Sequence, residues 1–122
     1  MPEASSRESS PIRRIVSSPR WADVVLHTGT AYWVEVAEDP TQDARGQIAQ
    51  VLAQIDATLS SLGSDRSRLL QVLIHVCDLG DVAVLNTVWD AWIQGTPPPV
   101  RACVQSGLAP GYKVEMVLTA AV

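Results

Sequence analysis

The stretch "RLLQVLIHVCDL", residues 68–79, read as an extended chain puts Leu70, Val72, Ile74 and Val76 on one side and Gln71, Leu73, His75 and Cys77 on the other. Both sides are largely apolar. A strand apolar on both faces has to be covered on both, here by a helix on one side and by a neighbouring subunit or a barrel interior on the other. The flanking segments supply the helices. In "DPTQDARGQIAQVLAQIDATLSSLG", residues 39–63, the apolar residues Ile48, Val51, Leu52, Ile55, Leu59 and Leu62 recur at spacings of three and four, the stripe of a helix lying on a sheet. Thr41 is the expected N-cap, with Asp43 in the first turn, and Gly63 is the expected left-handed residue after the last turn. In "GDVAVLNTVWDAWIQG", residues 80–95, Asp81 is the expected cap. Val82, Leu85, Trp89, Trp92 and Ile93 form the buried stripe, and Gly95 with three prolines ends the helix. Trp89 and Trp92 read as core packing.

Upstream, "RRIVSS", "DVVLHTG" and "TAYWVEVA" read as three short strands of a meander, and downstream "VRACVQSG" and "YKVEMVLTAAV" are two more, joined through "LAPG". The predicted order is β-β-β-α-β-α-β-β, an α+β domain with a mixed six-stranded sheet and both helices on one face. The second face is left without cover, and self-association is the expected remedy. Residues 1–12 are Ser, Glu, Arg and Pro with little to bury, so they read as a flexible tail preceding a domain at 13–122.

Composition narrows the function classes. A chain of 122 residues suits one domain, and 47% apolar with 18% charged residues is ordinary globular composition. No apolar run approaches the roughly 20 residues that cross a bilayer, and "MPEASSRESSPIRR" lacks the apolar core of a secretory signal. The expectation is no membrane partner and a cytoplasmic location. Nine basic against thirteen acidic residues, a net charge of −4, disfavour nucleic acid as a partner. Cys77 and Cys103 lack metal-site spacing, and His27 and His75 each stand alone, so no metal site is expected.

One residue resists this bland reading. In "TPPPVRACVQSG", residues 96–107, Arg101 interrupts an apolar strand. A guanidinium there either reaches water, pairs with a carboxylate, or waits for an anionic ligand. Alternation puts Arg101, Cys103 and Gln105 on one face of their strand, and Lys113, Glu115 and Val117 on one face of the next. A hairpin around "LAPG" sets Arg101 and Glu115 on antiparallel neighbours and on one surface, where a cross-strand ion pair is the ordinary outcome, worth about 0.2 to 1 kcal/mol.

The stretch "PPPVRACVQSGLAPGYKVEMVLTAAV", together with "RWADVVLHTGTAYWV", "LAQIDATLSSLGSDRSRLLQVLIHVCDL" and "VAVLNTVWDAW", resembles the Rid family of reactive intermediate deaminases, the YjgF-type proteins. The likeness covers about residues 13–122 and is nearest to the short bacterial YoaB-type branch. It implies a chorismate-mutase-like fold, a trimeric barrel with clefts at subunit interfaces, and cofactor-free hydrolysis of enamines and imines such as 2-aminoacrylate to 2-keto acids and ammonia. By that resemblance Arg101 holds the substrate carboxylate in a bidentate fork and Glu115 places the attacking water. The backbone of Cys103 meets a substrate oxygen, Thr28 and Gly29 offer a backbone carbonyl to the imine nitrogen, and Asn86 lines or braces the cleft. Two departures stand out. Arg14 or a neighbour occupies the region of a family tyrosine, with Trp21 and Trp33 as nearby aromatics, and Val117 replaces a second acid. The alternative is a non-catalytic binder of small carboxylates such as 2-keto acids, acting as a sensor or regulator of a metabolic enzyme. A ribonuclease or translation inhibitor, as some relatives are described, fits the acidic balance poorly.

Overall fold

A computed structural model describes residues 10–122, so the expected tail at 1–12 lies outside the described residues except for 10–12. The elements are β1 (Arg13–Ile15), β2 (Val24–His27), β3 (Thr30–Val36), α1 (Ala44–Ser61), β4 (Leu69–Val76), α2 (Val82–Ile93), β5 (Val100–Gln105) and β6 (Val114–Ala121). Short 3-10 turns precede β4 and α2. The strands form one six-stranded mixed sheet in the order β1-β2-β3-β6-β4-β5. This is the expected α+β order, and the β1–β3 meander is antiparallel as read.

The hairpin expected around "LAPG" does not form. β6 lies between β3 and β4, antiparallel to both, and β5 sits outside β4 and parallel to it. Two parallel neighbours need a crossover, and α2 provides it. β6 was the better candidate for an interior strand, since Val114, Met116, Leu118 and Ala120 are all buried. Most of β5 is exposed or half-buried, as suits an edge.

Both helices back one face of the sheet. Ile48, Val51, Leu52, Ile55 and Leu59 of α1 and Leu85 and Trp89 of α2 share one core with Trp33, Val72, Ile74, Met116 and Leu118 of the strands. Each such side chain contributes about 1.5 to 3 kcal/mol on leaving water. Gln47, fully buried, ties the layers together. Its Nε2 donates to the carbonyls of Pro40, Gln42 and Gly111, and its Oε1 accepts from the Lys113 N–H, which fixes the entry to β6.

Three local expectations need correction. Thr41 is not the cap of α1; its hydroxyl and N–H both bond Asp39, and Asp43 caps the helix by accepting from the Gly46 N–H at 2.9 Å. Asp81 stands at the N-cap position of α2 without a side-chain bond there, while Asp78 accepts from the Gly80 N–H one turn earlier. Leu70 does not share a face with Val72, because an irregularity in the β4–β6 register between Leu69 and Gln71 buries Leu69 and leaves Leu70 exposed.

The second face carries Tyr32 and Val34 of β3, Val117 of β6, Leu73 and His75 of β4, and Val100 and Val104 of β5. Tyr32, Val34, Val100 and Val104 are about half exposed or more. A mostly apolar sheet face stands open to solvent in the single chain.

Candidate functional site

The sequence leaves the partner of Arg101 undecided, and the sheet register settles it. β4 pairs Val72 with Arg101 and His75 with Glu115. Residues 72 and 75 are an odd number apart, so Arg101 and Glu115 lie on opposite faces of the sheet. The cross-strand ion pair is absent. Arg101 turns towards the helices, where its NH2 donates to Oδ1 of Asn86 at 2.8 Å and its Cζ stands 5.3 Å from the centroid of the Trp89 ring.

Among the described residues the one ion pair is Arg66–Asp56. Arg101 therefore carries a charge met by a neutral amide and an indole face. It is half-buried on the edge strand β5, whose outer side pairs with no other strand among the described residues. A guanidinium presents five N–H donors in a fixed fork, and Asn86 occupies one. Most of the fork remains open to a carboxylate.

Cys103 lies two residues along the same face of β5, half-buried against the core. Burial pushes its thiol above the usual range, and the nearby Arg101 charge works in the opposite direction without winning. The thiol stays protonated near neutral pH and does not compete as an anion for the guanidinium. Arg101, Asn86 and Cys103 thus come together as one cluster.

The remaining expected residues do not join it within one chain. Thr28 and Gly29 form the two-residue turn between β2 and β3, with φ of 48° and 78°. Two left-handed residues in a row match the twist of a tight hairpin, at a steric cost for a β-branched threonine. The Gly29 carbonyl accepts from the Val122 N–H at 2.9 Å. β2 and β5 are separated by β3, β6 and β4, four inter-strand steps, or about 19 Å.

Glu115 lines a cavity of about 590 Å³ beside the far end of β3, together with Trp21, Asp23, Trp33, Glu35 and Thr58. There Trp33 is buried and its Nε1 has no hydrogen-bond partner among the described residues, whereas Trp21 is 63% exposed. Glu35 accepts from Gln54 Nε2 at 2.8 Å and from Thr58 Oγ1 at 3.1 Å. Arg14 faces Val25 across the β1–β2 pair, away from Arg101. Sequence reasoning missed Trp89 as a neighbour of Arg101. The signal was there, since Asn86 and Trp89 are one helical turn apart and so share a face of α2.

Fold and site together define an α+β domain in which two helices back a mixed sheet and an edge strand presents an arginine without an acidic partner among the described residues. The chain belongs to the Endoribonuclease L-PSP family, which it matches over residues 10–122. It is 46% identical over 112 residues to the RutC family protein YoaB of Escherichia coli, covering 91% of this chain and 98% of that one. Among solved structures it is similar to a putative translation initiation inhibitor from Salmonella typhimurium, with TM-score 0.86, 45% identity, and 93% and 100% of the two chains covered. It is also similar to a YjgF family member from Neisseria meningitidis, with TM-score 0.85, 39% identity, and 92% and 95% covered. The Rid and YjgF resemblance of the sequence thus holds for fold and family. No helix among the described residues is long and apolar enough to cross a membrane.

Proposed function

We propose that this protein hydrolyses small, reactive 2-imino acids to 2-keto acids and ammonia, with the substrate carboxylate held by Arg101. The observation that carries the reading is the guanidinium on an edge strand, bonded to a neutral amide and in no ion pair with a carboxylate among the described residues. 2-Aminoacrylate tautomerises to 2-iminopropionate. Water then adds to the imine carbon, the C–N bond of the resulting tetrahedral adduct breaks, and ammonia leaves with pyruvate as the product. A protonated imine is already electrophilic, so orientation and placed charge supply most of the acceleration, and no cofactor is called for.

In this reading the site is completed between copies. Glu115, in the role of placing the water, and the Thr28–Gly29 turn both lie away from Arg101 in one chain, and the open apolar face asks for cover. A homotrimer with clefts between subunits meets both needs, a neighbouring copy bringing its turn or its carboxylate to the Arg101 cluster. The free thiols Cys77 and Cys103 fit a reducing cytoplasm.

Arg101→Ala should lower ammonia release from 2-aminoacrylate generated in situ by at least about 100-fold, with the oligomer unchanged and the melting temperature lowered by only a few degrees, since one hydrogen bond and one ring contact go with it. Full activity in that variant would end the proposal. The placement of Glu115 on the opposite face from Arg101 favours a second reading, a binder of 2-keto acids that does not turn them over. Saturable pyruvate binding without any rate above background would select it.

A further inference from the structure

We propose that Trp89 is a positioning residue for Arg101: its indole face holds the guanidinium so that the free edge of the fork, rather than its face, meets the ligand carboxylate. This rests on the reading of Arg101 as the carboxylate holder. The geometry has three parts. The guanidinium carbon stands 5.3 Å from the Trp89 ring centroid, within the range of an attractive cation–π contact. The Asn86 amide accepts from NH2 at 2.8 Å, from a residue one turn earlier on the same helix. The plate itself cannot yield, because Trp89 is 5% exposed and packs at 5.3 Å against Trp92 in a tilted arrangement.

Arg101 is long, and its side-chain torsions stay free unless something holds them. Asn86 fixes one nitrogen and leaves rotation about that bond. A flat indole beneath the guanidinium removes that rotation, and it does so without supplying a negative charge that would compete with the ligand. An aspartate or glutamate in this place would hold the arginine equally well and neutralise it.

The test measures pyruvate binding by calorimetry and turnover of 2-iminopropionate generated in situ, on the full chain. Trp89→Leu should weaken pyruvate binding and raise KM by about tenfold, with kcat close to wild type, because the carboxylate is held alike in ground and transition states. Trp89→Phe keeps a ring with a weaker face and should lose about threefold. Leu59→Ala, a core truncation on the other helix, is the control for stability loss alone and should leave pyruvate affinity unchanged. Should Trp89→Leu match wild type, or should Leu59→Ala weaken binding as much, the positioning role is overturned while Arg101 keeps its own. If Trp89→Leu does not fold, equal affinity in Trp89→Phe and wild type overturns it. Undiminished pyruvate binding in Arg101→Ala would remove the carboxylate holder, and the positioning role with it.

Discussion

Two arginines of this chain stand on tryptophans of the same helix and have opposite fates. Arg66 lies 4.8 Å from the Trp92 centroid and Arg101 lies 5.3 Å from that of Trp89. Both are half-buried. Arg66 then finds everything a guanidinium can use. It grips Asp56 through Nε at 3.0 Å and NH2 at 2.8 Å, and it donates NH1 to the Trp92 carbonyl. Trp92 Nε1 donates to the same carboxylate at 3.0 Å, so helix α1, the turn before β4 and the end of α2 close into one clamp. Arg101 has the ring and a single amide. The indole is common to both sites, and the carboxylate is what separates an arginine that holds the fold together from one available to a ligand.

Giving Arg101 an internal acid should therefore destroy the difference. Asn86→Asp puts a negative charge at hydrogen-bond distance from the guanidinium, and pyruvate affinity should fall on the order of 100-fold, from charge neutralisation and repulsion of the ligand. Asn86→Ala removes the brace and keeps the charge, so its loss should be no more than several-fold. Equal losses in the two variants, measured by calorimetry, would mean that the amide's geometry matters and the unpaired charge does not. The converse experiment is Arg66→Ala. It should lower the unfolding free energy by about 2 kcal/mol, since a bidentate charged contact and a ring contact go together, while pyruvate affinity stays at the wild-type value. The pair is about one-third exposed, which keeps the figure below that of a buried ion pair.

The contrast between the two arginines was half legible in the sequence. That Arg101 needed an explanation followed from one cation inside an apolar strand, the two helices followed from apolar periodicity, and the six strands from short β-branched and alternating runs between turn signals. The pairing of the last two strands did not. Consecutive strands joined by a short turn suggest a hairpin, yet residues 106–113 let the chain leave β5, pass β4 and insert β6 as an interior strand. Alternation along a strand says which residues share a face and is silent on which strand lies beside it. Hence the faces of Arg101 and Glu115 were each read correctly within their strands, while their relation to one another was not. The irregularity that exposes Leu70 and the choice of Asp43 over Thr41 as cap belong to the same class, in which a one- or two-residue offset is settled by packing. The Thr28–Gly29 turn was not read from local pattern either, since the strand "DVVLHTG" ran through both residues and only the family resemblance set them apart.

The smallest effect probes the two indoles as such. Trp92→Phe keeps an aromatic surface against Trp89 and beneath Arg66, and removes the Nε1 bond to Asp56. Asp56 retains both contacts from Arg66, so no buried charge is stranded. The expected loss is one hydrogen bond to a carboxylate in a partly exposed setting, about 1 kcal/mol of unfolding free energy by denaturant titration, with pyruvate affinity intact. Trp89→Phe on the neighbouring ring should show the reverse emphasis, a change in ligand affinity larger than its change in stability. If the two variants instead moved stability and affinity in the same proportion, the rings would be interchangeable core, and the distinction drawn from their arginines would lose its structural basis.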